Sequence, residues 1–206
     1  RAELSKRYGF SCTCLRCQGT PSQGTPPPET IKGGTLDSLL EAMEKGEAEA
    51  KVEFGFTLLR KGDQSMSEGD TKGAIQQYCS GLKMMQGVSK PSHALNIRLN
   101  SGLAHAYVAQ GEWEKAQKYL KASVKGFDIA HATPNPIHAV ETFMYAKVCS
   151  VRQDMTAARA AFQKAAKMLT ITHGSEHKLT NECRQRLGET EAELAAKRRL
   201  EDDDED

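Results

Sequence analysis

Cys12, Cys14 and Cys17 place three thiols within six residues, in the order C-x-C-x-x-C. Thiolates are soft ligands, and three so close together point to zinc rather than calcium or magnesium. A structural zinc site takes four ligands. The other three cysteines, Cys79, Cys149 and Cys183, are scattered through helix-like stretches, and none is placed to complete the set. The spacing therefore describes three quarters of a metal site and leaves the fourth donor open. Three crowded thiols and three solitary ones fit metal thiolates plus buried core thiols in a reducing compartment, rather than a disulfide framework.

The elements that hold this cluster are read from the rest of the chain. Its 206 residues suit one domain with a small appendage. An aromatic content of 6% is low for a sandwich or barrel and ordinary for a solvated helical protein. No run of 18 apolar residues and no signal-peptide pattern is present, so no membrane span is expected. The first residue is Arg1, and the chain is expected to be a piece of a longer protein. Net charge is +1, but the last six residues, EDDDED, are all acidic and leave +7 on the remainder. Like charges repel and stay solvated, so residues 200–206 are expected to form a disordered tail.

From about residue 35 onward the sequence reads as helix after helix, with a period of 42. Ala74, Ala116 and Ala158 repeat at that spacing, as do Tyr78, Leu120 and Phe162, and the small residues Gly81, Ser123 and Ala165. Twelve residues before each alanine stand Gly62, Ala104 and Ala146. Turn signals align too: EGD at Glu68, QGE at Gln110 and RQD at Arg152. Antiparallel helices approach closely only where side chains are small, and a bulky residue then fills the seam to the next pair. This pattern resembles the tetratricopeptide (TPR) repeat, whose usual period is about 34. The expected fold is all-α: a TPR-like superhelix of antiparallel helix pairs over residues 35–199. Its first helix is expected from about Leu36 to Arg60, its last from about Glu176 to Arg199, and Trp113 is expected as a core anchor. Residues 19–34, rich in Pro, Gly, Ser and Thr, read as a flexible linker after a cysteine motif at 1–18.

The stretch RAELSKRYGFSCTCLRC also matches R-x-x-L followed by Y-x-F-x-C-x-C-x-x-C. This resembles the post-SET element of the SMYD family of protein-lysine methyltransferases, in which a TPR-like helical domain follows directly. THGSEH at Thr172–His177, leading into a final helix, is similar to the C-terminal domain of that family. The resemblance implies an irregular post-SET zinc knuckle with Cys12, Cys14 and Cys17 as ligands and the fourth ligand from a SET core of the same parent protein. It implies S-adenosylmethionine as cofactor, with Phe10 against its adenine side and Tyr8 walling the channel for the target lysine. A dry aromatic channel disfavours ammonium hydration and tolerates developing cationic character, which suits methyl transfer to an amine. The substrate implied is a lysine of a histone or non-histone protein, in the cytoplasm, the nucleus or both. The SET core is absent from these residues, so this chain alone is expected to be inactive.

A second function class rests on the repeats alone: a non-catalytic adaptor with a zinc knuckle, gripping a peptide or chaperone tail. Carboxylate-gripping TPR grooves need Lys, Arg and Asn on the first helix of each pair, and Asn96, Arg98, Asn100 and Lys147 are available. His173 and His177 have a chelating spacing, but the intervening Gly174 and Ser175 read as a turn, with Ser as helix cap. His93, His105, His131 and His138 show no partner pattern. No phosphate-cradling glycine loop and no basic stripe with interleaved aromatics marks a nucleotide or nucleic-acid site.

Overall fold

The computed structural model describes residues 48–203; Tyr8, Phe10, Cys12, Cys14 and Cys17, the linker reading and the start of the first helix lie outside them. Within that span the chain forms seven α-helices joined by short turns. They are α1 (Ala48–Ser67), α2 (Thr71–Met85), α3 (Ala94–Ala109), α4 (Trp113–Ala130), α5 (Pro136–Val151), α6 (Met155–Thr172) and α7 (Lys178–Asp203). The first six pack as three sequential antiparallel pairs, and α7 packs on α6 at the end of the stack.

The 42-residue period sets the hairpin within each pair. Gly69, Gly111 and Gln153 occupy equivalent positions, and all three have positive φ, at 81°, 73° and 62°. One residue later, Asp70, Glu112 and Asp154 precede the second helix with nearly identical backbone angles. Their amides donate to Ser65, Tyr107 and Cys149 carbonyls at 2.9, 2.9 and 3.0 Å, satisfying the ends of α1, α3 and α5 in the same way. Asp70 accepts from the Gly73 amide and Asp154 from the Ala157 amide, whereas Glu112 makes no capping bond. Between pairs, Asn135 caps α5 by accepting from the His138 amide at 2.8 Å, just before Pro136.

The small residues do what the repeat requires. Ala74, Ala104, Ala116, Ala146 and Ala158 are fully buried. Around them the core runs through the stack: Leu59, Tyr78, Met85, Leu95, Leu99 and Leu103 join α1 to α3. Leu120 and Val148 lie among α3, α4 and α5. Phe143, Phe162, Leu169 and Cys183 close α5, α6 and α7. The Tyr78 ring fills the seam against two glycines, and its hydroxyl donates to Asp63 at 2.8 Å.

Four expectations change. The helix expected to end near Arg60 continues to Ser67, and its Gly62 packs against Tyr78. Trp113 is 38% exposed at the first position of α4, so it is no core anchor. The turn at Thr172–His177 is as expected, with Gly174 at φ 99°, but the cap of α7 is His177, whose Nδ1 accepts from the Leu179 amide at 3.2 Å, not Ser175. At the far end α7 continues to Asp203 rather than ending near Arg199, so residues 200–203 are helical and not part of a disordered tail as expected.

Candidate functional site

The face formed by the first helices of the pairs carries a polar ridge. It is built at the position directly after each small residue: Asp63, His105 and Lys147, spaced by 42. Asp63 on α1 accepts from Arg98 on α3 at 3.1 Å. Ser101 and His105 on α3 both reach Oε1 of Glu141 on α5, at 2.7 and 3.1 Å. Lys147 on α5 lies 3.9 Å from Glu182 on α7 and 4.5 Å above the Phe143 ring. Each step along the stack thus pairs a basic side chain with a carboxylate.

These ties differ in strength. Arg98 and Asp63 are both substantially exposed, so their pair contributes little. Glu141 is only 4% exposed, and a carboxylate so buried depends on its partners. Its hydrogen bond to His105 raises the imidazole pKa above its ordinary value, against the lowering effect of burial. Its second oxygen has no hydrogen-bond partner. His138, 4% exposed, is the opposite case: burial lowers its pKa, although Asp128 stands 3.2 Å from Nε2.

Beside the ridge lies a cavity of about 340 Å³. Ile97, Gly102, Phe127 and Ile137 give it apolar walls, while Asp63, Arg98, Ser101 and His131 supply polar groups. It has room for a side chain of a bound polypeptide.

The residues considered for gripping a carboxylate are on or near this ridge, but each is engaged. Arg98 faces Asp63 and Lys147 faces Glu182. The Asn96 amide donates to Ser89 Oγ and the Lys90 carbonyl at 2.9 and 2.8 Å. Asn100 donates to the Asn96 carbonyl at 2.7 Å. Among the described residues, no group of three His, Cys, Asp or Glu side chains is arranged to hold a metal. Cys149 and Cys183 are buried and Cys79 is half-buried. Burial pushes all three thiols up, Cys183 to about 11, so they are poor nucleophiles at neutral pH.

Sequence reasoning named Arg98 and Lys147 but missed Asp63, Ser101, His105, Glu141 and Glu182. The available signal was the ionisable residue following each small one in all three repeats.

The fold is that of a TPR-like helical repeat protein. It matches a single-residue variant of a kinesin light chain with nearly identical TPR-like repeats from Podosopora anserina at a TM-score of 0.58, with 14% identity, over 81% of this chain and 87% of that one. It also matches BtubC (BKLC) from P. vanneervenii at a TM-score of 0.55, with 18% identity, over 77% of this chain and 63% of that one. No protein-family model matches the sequence.

Among curated proteins, the chain has distant homologues in the SMYD methyltransferases. It is 20% identical over 192 residues to protein-lysine N-methyltransferase SMYD4 of Homo sapiens, covering 84% of this chain and 24% of that protein. It is 23% identical over 205 residues to histone-lysine N-methyltransferase SMYD1 of Homo sapiens, covering 94% of this chain and 38% of that protein. The corresponding figures for Smyd1 of Mus musculus are 25%, 94% and 38%. The chain thus spans roughly a quarter to two fifths of the length of these relatives, and the similarity is to their C-terminal portion. Among the described residues, no helix is long and apolar enough to cross a membrane.

Proposed function

We propose that this chain is the C-terminal part of a SMYD-type, S-adenosylmethionine-dependent protein-lysine N-methyltransferase. The observation that carries this reading is the extent of the match: similarity to named lysine methyltransferases over 84–94% of the chain but only 24–38% of their length. The C-x-C-x-x-C cluster beginning at Cys12 supports it, since three thiolates are a donor set suited to zinc.

In this reading Cys12, Cys14 and Cys17 hold zinc together with a fourth ligand from the SET core. Phe10 packs on the adenine side of S-adenosylmethionine, Tyr8 lines the lysine channel, and the cofactor supplies the methyl group. The helical stack serves as a wall of the substrate cleft. Its polar ties between pairs resist relative sliding, and its apolar-walled cavity offers a place for a side chain of the protein substrate. The adaptor reading is less well supported, because the cations needed to grip a carboxylate already face Asp63 and Glu182.

The test is transfer of a labelled methyl group to histones and cytosolic proteins. The chain alone gives no turnover. Mixed with a SMYD catalytic core lacking its own C-terminal portion, it raises turnover above that of the core alone, and Phe10→Ala weakens S-adenosylmethionine use about tenfold. Turnover by the chain alone, or no gain on mixing, contradicts the reading.

A further inference from the structure

The helices that come second in their pairs, α2, α4 and α6, differ in charge from those that come first. α2 carries Lys72 and Lys83, α6 carries Arg159, Lys164 and Lys167, and neither has an Asp or Glu. α4 has four lysines against Glu114 and Asp128. In α1 and α5 acidic and basic residues balance, and α3 has Arg98 alone. The lysines are also in step, since Lys83, Lys125 and Lys167 are spaced by 42. All three are exposed. Among the described residues none of the three has a carboxylate partner, and Asp128 is already taken by Lys164.

Sequential antiparallel packing points α2, α4 and α6 the same way, so their closing turns share one edge of the stack. Apolar side chains are exposed at that edge. Ile129 and Ile171, again 42 apart, each stand one turn beyond a lysine of the row, on the same side of the helix. They are 60% and 70% exposed, and Ile137, where the chain returns from α4 into α5, is 66% exposed. These are the three most exposed large apolar side chains among the described residues. Single exposed apolar residues are ordinary, but three at one edge, beside a row of lysines, form a surface with a common character.

The composition of that surface selects its partner. Protein interfaces are enriched in aromatic residues and Arg and depleted in Lys. Nucleic-acid surfaces combine basic residues with aromatic platforms. Here the exposed aromatics lie elsewhere, Trp113 at the opposite end of α4 and Phe56 within α1. Lysine beside aliphatic side chains suits an anionic lipid surface, which attracts the ammonium groups and takes up the apolar ones at the headgroup boundary. We propose that this edge rests on an anionic lipid bilayer, with Lys83, Lys125 and Lys167 among the headgroups and Ile129 and Ile171 at the acyl boundary. The contact is peripheral, since no described helix is long and apolar enough to cross a membrane.

Co-sedimentation of the full chain with vesicles tests this, using phosphatidylcholine with about 30% phosphatidylserine against phosphatidylcholine alone. Three variants accompany it: K83Q/K125Q/K167Q, I129S/I171S, and K61Q/K72Q/K115Q. The last makes the same charge change away from the edge, with Lys72 and Lys115 at the opposite ends of α2 and α4. All the substituted residues are exposed, and circular-dichroism melts establish that each variant remains folded. At about 100 mM salt the full chain binds the anionic vesicles and not the neutral ones, and about 500 mM salt releases it. K83Q/K125Q/K167Q weakens binding about a hundredfold and I129S/I171S about tenfold, while K61Q/K72Q/K115Q changes it less than about threefold. No binding to anionic vesicles, equal binding to neutral ones, an unchanged affinity in I129S/I171S, or equal losses in the two lysine variants overturns the proposal.

Discussion

Gly62 shows how little room the repeat leaves at the level of single atoms. A Cβ there would meet the Tyr78 ring at 2.3 Å, and one at Gly102 would meet the same ring at 2.7 Å. Tyr78 is 2% exposed and cannot swing away. Gly62→Ala gains about 1 kcal/mol of helix propensity but forces a packed ring to move, and overpacking costs about 1–3 kcal/mol. We expect net destabilisation by urea titration. Gly188 provides the contrast, since it lies in α7 with nothing within 4 Å of its Cβ position. Gly188→Ala is expected to stabilise by about 0.5–1 kcal/mol in the same measurement.

The His105–Glu141 pair sets a second expectation at this scale. His105 has a raised pKa, first because of its hydrogen bond to Glu141, while burial acts the other way. Glu141→Gln removes the first cause and leaves the second, so by NMR titration the His105 pKa falls from above to below the ordinary histidine value. The linkage has a definite sign. With the folded-state pKa raised, this group's contribution to stability is complete below the unfolded histidine pKa and is lost as pH rises through the folded one. His138, lowered by burial, works oppositely: its contribution is present above the unfolded pKa and is lost as pH falls. An unchanged His105 titration in Glu141→Gln contradicts the ridge geometry.

At the level of elements, the three hairpins are one design with two departures. Asp70 and Asp154 cap α2 and α6, and Glu112, with φ −84° and ψ 68°, has the backbone to do the same for α4 but a longer side chain. Its ion pair with Lys115 is about half exposed and worth little. Glu112→Asp is expected to stabilise by about 0.5–1 kcal/mol. Likewise Gln153 stands at φ 62° where the other hairpins have glycine. Gln153→Gly relieves a left-handed conformation costing about 1 kcal/mol and should also raise the melting temperature. If neither substitution stabilises, the equivalence of the three hairpins is only formal.

Much of this level was legible in the sequence. The period of 42 located the alanines, the seam residues and the turns, because close helix packing restricts those positions to few residue types. Trp113 was misread for a physical reason that the repeat itself contains. Its equivalents are Thr71 and Met155, so that position, the first of its helix, carries no consistent apolar demand. The extension of α1 past Arg60 was implicit in the repeat, since Gly62 lies beyond Arg60 and makes the contact with Tyr78. The ridge was half hidden, since ionisable side chains on a helix surface are usually solvated, and only their partners on the next pair distinguish these.

For the molecule as a whole, the proposed chemistry rests on Cys12, Cys14 and Cys17. The buried clusters from α1 through α7 make the stack a continuous scaffold, a property that the proposed cleft wall requires. The zinc part of the proposed methyltransferase reading is that Cys12, Cys14 and Cys17 bind the ion together with a donor from the proposed SET core. X-ray absorption at the zinc edge of the purified, reduced chain measures this directly. The account predicts one zinc per chain, bound by three sulfurs at about 2.3 Å and one lighter atom, and lost in Cys14→Ser with the helical circular dichroism unchanged. A chain that takes up no zinc under reducing conditions, or one whose zinc ligands do not include Cys12, Cys14 and Cys17, would contradict it.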